Sequence, residues 1–439
     1  MRMIEQWEPE NEAFWKSTGS KIAWRTLWIT TLTLILSFAT WFVMSAIVVR
    51  LPNCGFKFDT MQLFWLAAMP GLAGGTLRII HTFLIPIFGT RKVVSVATLI
   101  KLIPVIGIGF ALNSLDTPFW VFMILACLAG LGGGDFSSYM PSTSLFFPKR
   151  LQGTALGLQA GLGNFGVSLT QFITPWIIGF AAFGAFSGVP QTFTKGAVTK
   201  SIWLQNAVIW YVPLLVILGI VAAMFLKSVP VKATFRQQLD IFKEKHNWIM
   251  TSLYFMTFGS FAGFSAAFPL LIKSVYGQFP DAPDPLKYAF YGPLIGSTIR
   301  IVMGPPSDKY GGAIWTHVSG IGLFACSIAV IKFLNPTSMA DFPYFVGLIL
   351  GIFFFAGVGN ASTFRQIPAI FLPRQAGGVL GWTGAIAAYG PFVFSSLLGV
   401  AITKTGSPNA FFYGAATFYL INIAINWWFY KRKGCENPC

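Results

Sequence analysis

Two arginines stand inside apolar stretches, and the chain presents them in one repeated phrase. Gly74-Gly75-Thr76-Leu77-Arg78-Ile79 lies in the second hydrophobic segment and Gly296-Ser297-Thr298-Ile299-Arg300-Ile301 in the eighth. A cation in hydrocarbon costs about 2.5 kcal/mol or more, so it is retained for function or for pairing with an acid. Acids are scarce inside these segments. A guanidinium offers planar, paired N–H donors and stays charged when partly desolvated, which suits a planar oxyanion. Arg78 and Arg300, at matching places in two halves, therefore predict one central anion site.

No other pattern competes for chemistry. The three histidines, His81, His246 and His317, are widely separated and have neither metal spacing nor a nucleophile beside them. Cys54, Cys127, Cys326, Cys435 and Cys439 are scattered, and no further ligand stands near the last two. The expectation is a protein that is not an enzyme and takes no metal or cofactor.

The elements that position the arginines are membrane helices. The chain of 439 residues is 55% hydrophobic and only 10% charged, against about 25% charged in a soluble domain. The net charge of +16 does not imply nucleic acid, because the basic residues sit in short connections and form no patch. Glu5, Glu8, Glu10 and Glu12 break the basic start that a cleavable signal needs.

Stretches of spanning length fall near 27–49, 62–85, 93–112, 119–146, 152–186, 202–226, 247–273, 286–304, 313–334, 343–371, 376–400 and 408–430. The fifth is longer than a bilayer needs, so tilt or a turn outside the membrane must absorb part of it. Arg91, Lys92, Lys149, Arg150, Lys309, Arg374 and 431–433 gather on the face of the termini. So do Lys227, Lys232, Arg236, Lys243 and Lys245 of the central connection, which predicts cytoplasmic termini. The division expected is 1–226 and 247–439 as two six-helix bundles, joined by a cytoplasmic linker at 227–246.

Internal repetition supports that division. Phe147-Pro148-Lys149 is echoed by Leu372-Pro373-Arg374, and each precedes a stripe of small residues four apart: Gly153, Gly157, Gly161, then Gly377, Gly381, Ala385. Such stripes read as helix packing. Two parallel six-span repeats around a midplane site describe the major facilitator fold, an all-α integral membrane architecture of twelve helices. Gly304-Pro305-Pro306-Ser307-Asp308-Lys309-Tyr310-Gly311-Gly312 resembles the acidic-basic-glycine loop of that superfamily, and Phe88-Gly89-Thr90-Arg91-Lys92 keeps its basic end. Lys273 and Lys332, near span ends, are expected to snorkel to the interface.

Two long segments narrow the resemblance. One runs from Gly132 through Phe146-Phe147-Pro148-Lys149 to Gly161-Leu162-Gly163-Asn164-Phe165-Gly166-Val167-Ser168. The other runs from Ala356-Gly357-Val358-Gly359 through Ser362-Thr363-Phe364 to Gly384. With Trp7-Glu8-Pro9-Glu10 at the start, the chain resembles the nitrate/nitrite porter family of the major facilitator superfamily over nearly its whole length. The resemblance implies nitrate import by exchange with nitrite or by proton symport, in a bacterial cytoplasmic membrane, by a monomer in the lipid bilayer. It places the substrate clamp on Arg78 and Arg300, a polar contact on Asn164, and aromatic walls on Tyr254, Phe258 and Phe136. A carrier for another small or organic anion is the alternative, and would need a roomier pocket.

Four charged or titratable residues depart from the exchanger pattern: Asp135, His81, Lys101 and Arg365. A site with two arginines and no carboxylate carries two positive charges when empty, which favours obligatory exchange. Asp135 and His81 are the candidates for proton coupling, since a proton on either alters that balance. The competing expectation is a fixed pair of Asp135 with Lys101 or Arg365.

Overall fold

The computed structural model describes residue 4, residues 6–229 and residues 239–439. Glu5, Lys232, Arg236 and the side chain of Arg374 lie outside that description. Among the described residues the chain is a succession of long helices. The first half holds α1 (Glu12–Ile47), α2 (Thr60–His81), α3 (Leu84–Ala111), α4 (Phe119–Phe146), α5 (Lys149–Ile177) and α6 (Asn206–Phe225). The second holds α7 (Lys245–Tyr276), α8 (Tyr291–Val302), α9 (Gly312–Phe333), α10 (Met339–Ile370), α11 (Gln375–Thr405) and α12 (Asn409–Asn426). Nine of them are long and apolar enough to cross a membrane by length and composition alone. The chain passes from α6 to α7 between Phe225 and Lys245, where the sequence predicts the linker.

α1 and α7 are the inner helices of their halves, buried on nearly every side, whereas α6 and α9 are largely exposed. Exposed Phe110, Trp120, Ile217 and Ile328 are therefore lipid-facing in a bilayer, where apolar exposure carries no penalty. α5 ends at Ile177, short of the 186 expected. The surplus forms turns and then a hairpin of β1 (Gln191–Lys195) against β2 (Val198–Ile202), an addition to the all-α reading. Gly196 takes φ +58° at its tip, and the flanking residues are mostly polar and exposed, so hydropathy gives no sign of strands.

The two halves repeat in backbone geometry. Gly89, at a kink near the start of α3, and Gly311, between the short helix Gly304–Tyr310 and α9, have φ of +75° and +91°. Asp308 Oδ1 accepts from Arg365 Nε at 2.6 Å, tying the connection after α8 to α10. Arg365 thus faces the surface and is not a partner of Asp135.

At the ends opposite the termini the halves are fastened together. Arg50 Nη2 meets Asp284 Oδ2 at 2.6 Å, and Ser168 Oγ donates to Phe290 O at 2.9 Å. Gln171 Nε2 donates to Ser265 O at 2.8 Å. Lys273 does not snorkel: its Nζ reaches across to Val49 O at 2.6 Å and Asn53 Oδ1 at 2.8 Å. A half-buried ammonium finds carbonyls nearer than the interface. Lys332 is exposed, as expected.

The small-residue stripes behave differently along their length. Gly161 lies against Ile301, but Gly153, Gly157 and Gly377 face open space, so packing does not account for them in this state. Gly381 of the second stripe does meet a neighbour, Thr82 at the end of α2. The close α1–α5 approach is made instead by Gly163 and Gly166. A Cβ on Gly166 would sit 2.1 Å from Ile35 O, a backbone atom that cannot move aside cheaply. Gly166→Ala is expected to lower the melting temperature in detergent by several degrees, consistent with an overpacking cost of about 1–3 kcal/mol. Gly153→Ala leaves it unchanged.

A central cationic site between the two halves

The repeated phrase places both arginines inward because its glycines bring neighbouring helices close. Gly74 packs on Trp41 of α1 and Gly75 on Tyr389 of α11; Gly296 packs on Phe261 of α7 and on Phe353 O of α10. The guanidiniums then share one ring, with Phe258 centred 5.2 Å from Arg78 Cζ and 5.9 Å from Arg300 Cζ.

Arg78 is fully buried and tethered. Its Nε donates to Gly133 O at 2.8 Å and its Nη1 to Gly384 O of α11 at 2.7 Å. Gly132-Gly133-Gly134 makes the first bond possible, since Gly132 touches Ser37 O of α1 and Gly133 lies against Gly74. The second crosses between halves. Arg78 Nη2 has no partner, and Arg300 Nη1 has none either; Arg300 Nη2 lies 3.5 Å from the Tyr254 hydroxyl. Among the described residues neither arginine is in an ion pair with a carboxylate. Each buried N–H without an acceptor costs about 1–3 kcal/mol, so both free corners favour an anion.

Aromatic rings wall the two corners. Phe136 and Phe258 lie 6.5 Å apart at 24°, and Tyr254 stacks on Phe258 at 5.5 Å and 6°. A π-helical turn at Phe255–Gly259 swells α7 here, an irregularity that recurs at functional sites. Phe364 of α10 completes the wall, 4.9 Å from Arg300 Cζ and 5.0 Å from Tyr254. Sequence reasoning misses Phe364 and Trp41 as site residues, although Trp41 lies 5.3 Å from Arg78 Cζ. Phe364 stands within the second signature segment, where its aromatic type is the available signal. Trp41 has none, because it is one of several aromatic residues in a run without charges.

Five of the sequence-predicted residues, Arg78, Arg300, Tyr254, Phe258 and Phe136, are thus brought together. Asn164 projects from α5 between the Gly161–Ile301 contact and the Ser168–Phe290 bond, toward α8, and both atoms of its buried amide lack partners. Asp135 and His81 stand apart. Asp135 Oδ2 accepts from Lys101 Nζ and, at 2.6 Å, from Ser37 Oγ. His81 Nδ1 is 3.1 Å from Ser138 Oγ and 3.7 Å from Asp135 Oδ1.

Paired helical halves closed about an uncompensated, buried pair of cations define a membrane protein of the carrier type. Residues 27–364 match the Major Facilitator Superfamily. The chain is 62% identical over 437 residues to the "Probable nitrate/nitrite antiporter NarK2" of Thermus thermophilus, covering 99% of this chain and 98% of that one. It is 37% identical over 455 residues to the "Nitrate/nitrite transporter NarU" of Escherichia coli (strain K12), covering 98% and 96%. A crystal structure of a bacterial homolog to the human lysosomal transporter Spinster shares the fold, with a TM-score of 0.69 at 14% identity, over 92% of this chain and 96% of that one. The chain belongs to the nitrate/nitrite porter family of the Major Facilitator Superfamily.

Proposed function

We propose that this protein moves nitrate and nitrite across a bacterial cytoplasmic membrane, as a monomer with cytoplasmic termini, and that it exchanges one anion for the other. The observation that carries the reading is the pair of buried N–H corners, Arg78 Nη2 and Arg300 Nη1, left without acceptors between aromatic rings. Phe136 and Phe258, with centres 6.5 Å apart and planes inclined by 24°, present flat faces beside these corners that suit a planar anion. The arginines bind two oxygens, and the Asn164 amide donates to a third. Relatives named as nitrate/nitrite carriers support the same substrate.

The mechanism is a rocking of residues 1–226 against 247–439 about the fixed site. An empty site holds two like charges between halves that must close, so reorientation requires an anion in place. Pairing of Asp135 with Lys101 supports exchange, because it leaves no free carboxylate to offset the arginines. A second reading has one observation in its favour: Asp135 Oδ1 is unpartnered and His81 lies 3.7 Å away, an arrangement suited to holding a transported proton.

Nitrate uptake into proteoliposomes separates the two. Exchange predicts no uptake until nitrite or nitrate is loaded inside, whatever the proton gradient. Gradient-driven uptake into anion-free vesicles would establish symport and make Asp135 and His81 the residues to test for the proton. Competition by larger organic anions would overturn the nitrate/nitrite assignment in favour of a broader anion carrier.

A further inference from the structure

Asn360 stands one turn before Phe364 on α10, and residues four apart share a helical face. Its flanks fix where that face points. Gly357 lies against Gly296 and Ile299 of α8, while Gly359 lies against Thr257 of α7 and Ser319 of α9. Asn360 therefore projects between α8 and α7, the gap that also holds Arg300 and Phe258. It is fully buried, and neither Nδ2 nor Oδ1 has a partner.

Asn164 of the first half is in the same condition. A carboxamide kept from water at both ends is unfavourable unless something else meets it. Among the described residues Asn247 is likewise unpaired at both amide atoms, but it sits near the start of α7, roughly two turns from Tyr254. Asn164 and Asn360 are the two whose helix faces turn toward α8, which carries Arg300, one from each half.

We propose that Asn360 is a second carboxamide contact of the transported anion, and that with Asn164 it separates nitrate from nitrite. The proposal rests on the central-site reading above. Nitrite has two oxygens and a nitrogen lone pair, and the free corners of Arg78 and Arg300 satisfy both oxygens. Nitrate has a third oxygen with two in-plane lone pairs, which accepts one N–H from Asn164 and one from Asn360. Nitrite leaves both amides without that acceptor, so removing the Asn360 amide penalises nitrate selectively.

The test uses the full-length carrier in proteoliposomes, comparing wild type with Asn360→Ala and Asn360→Ser for the KM of nitrate and of nitrite in counterflow. Asn360→Ala is expected to raise the KM for nitrate roughly ten-fold and that for nitrite by less than about two-fold. Unchanged values for both anions overturn the proposal, and so does an equal rise in both accompanied by a lower melting temperature, which marks a structural role. Should the alanine variant fail to fold, thermal stabilisation by nitrate in detergent is compared between wild type and Asn360→Ser. An undiminished shift in the serine variant overturns the proposal. A wild type that transports neither anion removes the central reading itself; an active wild type with an unaltered variant removes only the role of Asn360.

Discussion

Arg78→Lys is expected to reduce nitrate–nitrite exchange by about 100-fold or more while leaving the protein folded. Arg78 does three things with one flat group: Nε holds Gly133 O, Nη1 holds Gly384 O, and Nη2 is left for the anion. Lysine keeps the charge but presents one compact ammonium on a flexible stem, which cannot reach two carbonyls and also offer a donor in the anion's plane. Charge-assisted hydrogen bonds contribute about 1.5–3 kcal/mol each, so losing one or two from the bound state gives this magnitude. Arg300→Lys is expected to do less, about ten-fold, because Arg300 holds no backbone carbonyl among the described residues and meets Tyr254 only at 3.5 Å. Counterflow with labelled nitrate, normalised to reconstituted protein, measures both. Normal exchange by the Arg78→Lys Arg300→Lys double variant would remove the clamp from the mechanism, whatever else the site binds.

The same two arginines show how much of the site is legible in the amino-acid sequence. A charge in an apolar run is conspicuous, and the phrase around each arginine carries the glycines that let helices close on it. The spans follow from hydropathy for the same reason. Contacts that depend on which helices meet are not legible. Asp135 has two candidate cations, Lys101 and Arg365; it pairs with Lys101, and Arg365 goes to Asp308 because the short helical turn after α8 brings that acid to α10. Lys273 reads as an interfacial lysine by position, yet the docking of its half against Val49 and Asn53 gives it oxygen partners inside the protein. Phe364 needs the approach of α10 to α8 before its ring has anything to face. The stripe of Gly153, Gly157 and Gly161 shows the limit most clearly. Spacing marks the face as smooth, but only Gly161 meets a partner, Ile301, because only there does another helix come close.

The buried pair of Asp135 and Lys101 carries the second large effect, on stability and on the coupling question together. Both side chains are fully buried. Removing one partner leaves a lone charge in the bundle, which costs about 3–5 kcal/mol, whereas replacing both with neutral groups is often near neutral. Asp135→Asn and Lys101→Met are each expected to destabilise the detergent-solubilised protein by that amount, and the double variant to recover most of the loss. The cycle measures the coupling between the two residues. Asp135 also accepts from Ser37 of α1, and Gly133, two residues earlier, is the anchor of Arg78. The single variants should therefore weaken anion affinity as well, through the loosened α4 backbone. In the double variant both the charge balance and the folded state are restored, so exchange of nitrate for nitrite should return. That outcome makes the pair a strut that holds the arginine in place. Exchange that returns while a proton-driven component disappears would instead place the transported proton on the Asp135–Lys101 pair, whose two titratable groups the double variant has lost.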